Sequence, residues 1–192
     1  MKKIKLNYFI MVIALSFLAS GQFVFAQDAK PRKSPKASVM QRIGADTDIV
    51  IDYSRPGVNG RTIWGDLVPY GLSPGNKYSK DKPYPWRAGA NENTTISVSK
   101  DVNINGKKLP AGKYGIHMLP GKSEFKVMFN KVNDSWGSYA YDASQDVLTI
   151  TVKPVATDHT EWLEYGFKDL SDSEATAYLK WEKLMIPFKI EL

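Results

Sequence analysis

The sequence predicts an all-β fold, a single antiparallel β-sandwich or jelly roll with little helix, and three observations carry that prediction. From Ile43 onward, apolar residues recur at every second position, the period of a strand with one buried face. Turn residues interrupt this alternation at short intervals, most plainly at Asn105-Gly106, a pair that tolerates the positive φ of a two-residue hairpin turn. No segment sustains the apolar period of an amphipathic helix.

Taken in order, Ile49, Ile51 and Tyr53 share one face of an expected strand, and Ile96 and Val98 share that of another. Val102 and Ile104 run into the Asn105-Gly106 turn and out through Lys107-Lys108-Leu109. A turn at Pro110-Ala111-Gly112 leads to Tyr114, Ile116 and Met118, and one at Pro120-Gly121 leads to Phe125, Val127 and Phe129. Leu148, Ile150 and Val152 mark a further strand, as do Leu163, Tyr165 and Phe167. Ser171 to Glu174 has the spacing of a capping box and predicts one helical turn.

Near the C-terminus, Ala177, Leu179 and Trp181 lie on one parity, whereas Leu184, Ile186, Phe188 and Ile190 lie on the other. A strand changes parity only by adding a residue, so a bulge or tight turn is predicted near Glu182-Lys183. Pro187, which cannot donate to a ladder, suits a bulge or an edge. Roughly eight to ten short strands at this spacing define the sandwich class. With no internal repeat and no second linker, residues 37–192 are expected to form one domain.

Residues 1–26 read as a cleavable secretory signal. Lys2, Lys3 and Lys5 precede an apolar run from Phe9 to Leu18, and Val24-Phe25-Ala26 offers a small-residue boundary. Ser16, Ser20 and Gln22 interrupt the apolar stretch, which is short for a membrane span of ~20 residues. The expectation is therefore a secreted or periplasmic protein with no stable membrane insertion after cleavage. The chain has no cysteine, which excludes disulfides, a thiolate nucleophile, Cys-based zinc sites and a lipid anchor on a cleavage-site Cys.

Residues 27–36, with Lys30, Arg32, Lys33 and Lys36 among prolines, read as a flexible basic leader. Without Lys2, Lys3 and Lys5, 23 of the 26 basic residues remain against 20 acidic ones, a net of +3. That imbalance is too small to predict a nucleic-acid partner.

No catalytic, cofactor or metal motif stands out. The two histidines, His117 and His159, lack a second ligand at metal spacing. His117 alternates away from Ile116 and Met118, so it faces opposite to that strand's core side. There it serves either as a general base or donor in a cleft, or as a packed histidine. Asp52, Asp66, Glu92 and Asp146 are candidate acids, but glycoside hydrolysis needs two carboxyls about 5–10 Å apart, a distance no sequence contains. No Gly-x-Ser-x-Gly occurs, and the Ser97-x-x-Lys100 spacing falls within a strand.

The densest chemistry runs from Arg55 through Arg61, Trp64 and Tyr70, and resumes at Trp86-Arg87-Ala88-Gly89-Ala90-Asn91-Glu92. Trp64, Trp86, Trp136, Tyr139 and Tyr141 lie in or beside glycine-rich turns, where they cannot all be core. Exposed aromatic faces stack on sugars or peptides, and Arg55, Arg61 and Arg87 can clamp an anion bidentately. The same residues could instead plug the ends of the sandwich, so site and scaffold stand side by side.

Several segments together resemble one family: Ile51-Asp52-Tyr53-Ser54-Arg55-Pro56, Gly60-Arg61-Thr62-Ile63-Trp64-Gly65, Trp86 through Glu92, Gly106 through Tyr114, and Trp136-Gly137-Ser138-Tyr139. The chain is similar to domain of unknown function family 2911, a group of secreted bacterial proteins, from Ser34 to Phe188. The resemblance implies fold and export rather than a reaction. Between Gly71 and Trp86 the sequence departs from the family pattern with a Lys-, Tyr- and Pro-rich insertion.

The expectation is a non-catalytic binding domain for an envelope or extracellular ligand, a glycan or a peptide, with no cofactor and no metal. Its surface is expected to comprise Arg55, Arg61, Trp64, Arg87, Asn91 and Glu92, with His117 and Trp136 as neighbours. Two alternatives remain at this point: a hydrolase using a carboxylate and histidine cleft, and an assembly partner of the cell envelope.

Overall fold

A computed structural model describes residues 30–192. The expected signal, residues 1–26, and residues 27–29 of the leader lie outside the described residues. Ten strands carry the rest: β1 Lys36–Ile43, β2 Thr47–Ser54, β3 Thr94–Val98, β4 Val102–Ile104, β5 Lys107–Leu109, β6 Gly112–Leu119, β7 Phe125–Asn130, β8 Asp146–Val152, β9 Val155–Lys168 and β10 Glu174–Glu191. They form two sheets, ordered β1-β2-β3-β6-β7-β8 and β5-β4-β10-β9, and every strand pair is antiparallel. The fold is thus an open two-sheet β-sandwich, not a barrel. Among the described residues the one helical piece is a 3₁₀ turn over Ala143–Gln145, and no helix is long and apolar enough to cross a membrane.

The predicted alternation is the core. Ile51, Ile96, Ile116, Val127 and Phe129 of the six-stranded sheet are fully buried, as are Leu163, Leu179, Phe188 and Ile190 of the four-stranded one. Rings meet across the layer, Tyr53 on Tyr165 at 4.9 Å and Phe129 on Phe188 at 5.9 Å. Each such buried side chain contributes about 1.5–3 kcal/mol relative to exposure.

Local signals resolve as their chemistry requires. Asn105 and Gly106 adopt φ of 49° and 74°, closing the β4–β5 hairpin. The parity change falls at Glu182, which takes φ 55° while the β9–β10 register shifts on both sides of it. Pro187 stands after the last β9 pairing, Met185 with Val155, and before the first β4 pairing, Ile190 with Ile104.

Two expectations are corrected, and one strand lies where no alternation marks it. Ser171–Glu174 forms the β9–β10 turn rather than a helical turn, with the Ser171 amide donating to the Glu174 carbonyl at 2.9 Å. Long flanking strands decide this, because the hairpin leaves no residues to propagate a helix. A strand also precedes Ile43: β1 pairs along all of β2, with half-buried Ala37, Val39 and Gln41 facing inward. Its small and polar inward residues hide the alternation.

The end of the basic leader is docked rather than free. The Arg55 amide donates to the Pro35 carbonyl at 2.8 Å, Asn91 Nδ2 to the Ser34 carbonyl at 3.3 Å, and Arg32 pairs with Glu92 at 2.6 Å.

Candidate functional site

β2 and β3 are joined by a long excursion, residues 55–93, that returns to the six-stranded sheet at Trp86. Trp86 and Met118 of β6 exchange both backbone hydrogen bonds, at 2.9 and 2.8 Å, so the Trp86 segment continues the line of β3. Immediately afterwards the backbone turns sharply, with Ala88 at φ 52° and Asn91 at φ 61°. Such conformations persist in non-glycine residues only where surroundings over-determine them. Here the Ala88 carbonyl accepts from the Thr94 hydroxyl at 3.1 Å and the Tyr165 hydroxyl at 3.0 Å.

This strained turn presents Arg87. Its Nη1 donates to the Asn91 carbonyl at 2.6 Å, and its guanidinium carbon sits 4.9 Å from the centroid of the Tyr139 ring. Tyr139 arrives from the β7–β8 loop, which also carries Gly137 at φ 68°. A β-carbon on Gly137 would lie 2.2 Å from Arg87 Cζ, so only glycine lets the loop close over the guanidinium. The cation–π contact and the carbonyl bond together fix the orientation of the group.

Beside Arg87 opens a cleft of about 500 Å³, walled by Arg61, Tyr84, Trp86, Asn91 and Tyr139, with Lys33 on its border. Three cationic residues line it and no carboxylate does. Arg61 is anchored through Nε to the Val58 carbonyl at 3.0 Å and through Nη2 to the Gly57 carbonyl at 2.5 Å. Arg87 spends Nη1 on Asn91, and among the described residues its Nε and Nη2 meet no acceptor. The 72–85 segment builds one wall: Ser73 and Tyr84 exchange backbone bonds at 2.8 and 3.2 Å, and Asn76 Nδ2 donates to the Tyr84 hydroxyl at 2.8 Å.

The remaining candidates lie elsewhere. Arg55 ties the excursion to β9, donating to the Leu163 carbonyl at 2.9 Å and pairing with Glu164 at 3.6 Å. Trp64 is half-buried on the core, edge-to-face with Phe125 at 5.5 Å, Trp86 at 5.7 Å and Trp181 at 6.0 Å. Glu92 turns to Arg32 at 2.6 Å and Lys36 at 3.4 Å, and the hydrogen bond from Arg32 holds its carboxyl down at about 2. Trp136, 58% exposed, stands outside the cleft wall.

His117 does face away from the core, but the β7–β8 loop covers it and leaves it 2% exposed. Its Nδ1 lies 2.7 Å from the Ser138 hydroxyl, and its ring meets Tyr141 edge-on at 4.9 Å. Burial, and then the charge of Arg87, lower its pKa to about 4, so the imidazole is neutral at physiological pH. Ser138 beside a histidine is the pairing of an activated nucleophile, yet Ser138 is itself 1% exposed, buried together with His117.

A larger hollow, about 620 Å³, lies on the outer face of the six-stranded sheet. Both of its lysines are paired within the protein, Lys36 with Glu92 and Lys113 with Asp52 at 3.9 Å. The Arg87 cleft, by contrast, has no carboxylate on its walls to pair with its cations. Among the described residues, every carboxyl with a displaced pKa, including Glu92, Asp48, Asp101, Asp142 and Glu161, is displaced downward. No three His, Asp or Glu side chains among them gather into a group able to hold a metal ion.

Sequence reasoning thus brought Arg61, Arg87 and Asn91 to the cleft and missed Lys33 and Tyr84 on its walls. The signal for Tyr84 was available, an aromatic residue flanked by two prolines in a loop. Lys33 carried none, because its position depends on the docking of its segment to distant backbone.

Fold and site together define a two-sheet antiparallel β-sandwich protein with a loop-built cationic cleft. Residues 34–190 match the family described as "Protein of unknown function (DUF2911)", and the chain belongs to that family. No curated protein and no solved structure matched the chain.

Proposed function

We propose that the protein is an exported, non-catalytic binding domain for an anionic envelope or extracellular ligand, a glycan or a peptide. The observation that carries this reading is the Arg87 cleft, lined by Lys33, Arg61 and Arg87 with no carboxylate to neutralise them. Arg87 is clamped before any ligand arrives, so little side-chain ordering opposes binding, and its free edge suits a carboxylate or phosphate bidentately. Tyr84 and Tyr139 supply ring edges and faces beside that anchor. Export rests on the N-terminal pattern of basic, apolar and small residues.

Binding is favoured over hydrolysis because the cleft has no carboxyl on its walls and His117 is sealed beneath a loop. The test is a thermal-shift series on residues 27–192, which retain every described contact, against acidic sugars, muropeptides, acidic peptides and neutral glycans. A ligand at 100 times its Kd adds about 2.7 kcal/mol and raises the midpoint by roughly 5–10 °C. The expected result is a shift with an anionic ligand that Arg87→Ala removes and Arg87→Lys weakens. Equal shifts in wild type and both variants would overturn the reading, as would silence from every anionic ligand.

A further inference from the structure

Tyr139 is a shared wall. On its far side lies a second hollow of about 610 Å³, lined by Tyr78, Lys80, Lys82, Tyr141 and Asp142 among others. We infer that the ligand is an acidic polysaccharide, laid across Tyr139 so that successive sugar units occupy the Arg87 cleft and this second hollow. The inference rests on the cleft being the binding site and deepens it to a ligand class.

Two rings stand between cationic groups along this path. The Arg87 guanidinium lies 4.9 Å from the Tyr139 ring, Tyr139 lies 5.5 Å from Tyr78, and Lys77 Nζ lies 5.0 Å from the Tyr78 ring. Tyr78 is 65% exposed, so it contributes contact area to a ligand rather than to the core. Lys80 and Lys82 face only one carboxylate in the second hollow, Asp142, and that group is engaged by the Ser144 amide at 2.9 Å.

The lysine loop is also preset. Lys80 and Asp81 hold consecutive positive φ angles of 52° and 59°, fixed by the Asp81 amide on the Asn76 carbonyl at 2.9 Å and the Lys82 amide on the Ser79 carbonyl at 3.1 Å. These bonds, and the close approach of the Asp81 backbone to Gly75, hold the two lysines in place before any ligand arrives.

A single small anion would be satisfied by Arg87 and would leave the second hollow without use. A chain with an anionic group on each ring uses both hollows, gains by multivalency, and presents sugar faces to tyrosines. A nucleic acid fits less well. Tyr84 and Tyr139 meet edge-to-face at 77°, and Tyr78 and Tyr139 are tilted by 32°, so neither pair offers parallel platforms for successive bases.

The deciding experiment is calorimetric titration of residues 27–192 with alginate oligomers of increasing length, from a single uronic acid upward. Dextran is the neutral control, and dextran sulfate and a single-stranded oligo-dT are rival polyanions. The expected result is affinity that rises about tenfold or more with length. Lys80→Ala/Lys82→Ala should abolish that gain and spare the single unit, since both lysines are exposed and the fold does not depend on them. Arg87→Ala should weaken every length.

A response to dextran sulfate alone supports the polysaccharide and makes its anion a sulfate. Binding of the single unit through Arg87 with no gain from length would sink the polysaccharide while the cleft reading stands. Oligo-dT binding as tightly as alginate, with the same lysine dependence, would sink it too. Silence from every acidic sugar, with an acidic peptide still bound through Arg87, would overturn this inference alone, whereas silence from all of them overturns both.

Discussion

Gly137 passes so close above Arg87 that a β-carbon there would fall 2.2 Å from the guanidinium carbon. The glycine, at φ 68°, is what allows Arg87 to lie against Tyr139. Gly137→Ala is therefore expected to expel Arg87 from its stack and strain the loop, costing about 1–3 kcal/mol of stability. Urea unfolding reads the stability loss. A ligand thermal shift should fall as far as it does for Arg87→Ala, and an unchanged shift would separate the stack from binding.

His117 sets an acid limit on stability. In the unfolded chain its imidazole titrates near 6.5, and in the fold it is lowered to about 4 by burial and the charge of Arg87. A lowered pKa means the unfolded state binds the proton first, so this stability is fully present above pH 6.5 and is lost as pH falls toward 4. The loss is on the order of 3 kcal/mol. Glu92, held at about 2 rather than 4.5, adds a smaller loss in the same direction below pH 4.5, reduced by its partial exposure. Unfolding curves across pH should show His117→Gln flattening the upper window only. NMR titration of Arg87→Ala should show the His117 midpoint moving upward.

Trp64 carries a buried indole nitrogen with no protein acceptor among the described residues, while its ring packs against Trp86, Phe125 and Trp181. The ring stabilises and the N–H does not. Trp64→Phe is expected to cost under about 1 kcal/mol, because it discards an unpaired donor along with some area. Trp64→Ala should cost about 3 kcal/mol, the low end for a large aromatic because the residue is only half-buried. Equal costs in urea titrations would show that the nitrogen is satisfied.

Glu182, at φ 55° and flanked by two register shifts, is where β10 changes parity, so that Trp181 and then Ile186, Phe188 and Ile190 face the same core. Its deletion would rotate those last three side chains to the opposite face, forfeiting about 1.5–3 kcal/mol each and leaving no stable fold. Glu182→Gly keeps the count and suits φ 55°, so it should change stability by less than about 1 kcal/mol. Circular dichroism melts of the two variants should therefore differ completely.

Much of the fold was legible because its signals are local. A strand's faces are fixed by residue parity, so Ile49-Ile51-Tyr53, Phe125-Val127-Phe129 and the parity change at Glu182 each stated which side chains go inside. Asn105-Gly106 stated where one hairpin closes. The capping-box spacing at Ser171 was equally local and was overridden by the long β9–β10 pairing on either side.

The site was legible only as a list of residue types. Arg55, Arg61, Trp64, Arg87, Asn91 and Glu92 lie close in sequence, yet only Arg61, Arg87 and Asn91 line the cleft. Arg55 ties strand to loop, Trp64 joins the core, and Glu92 binds the docked leader. What sequence alone determined was the set of alternating strands and the chemistry available on the loops between them. Only tertiary structure decided that Arg87 meets Tyr139 and Gly137, roughly fifty positions away, because a loop side chain's surroundings come from the segments packed on it. No periodicity encodes that packing.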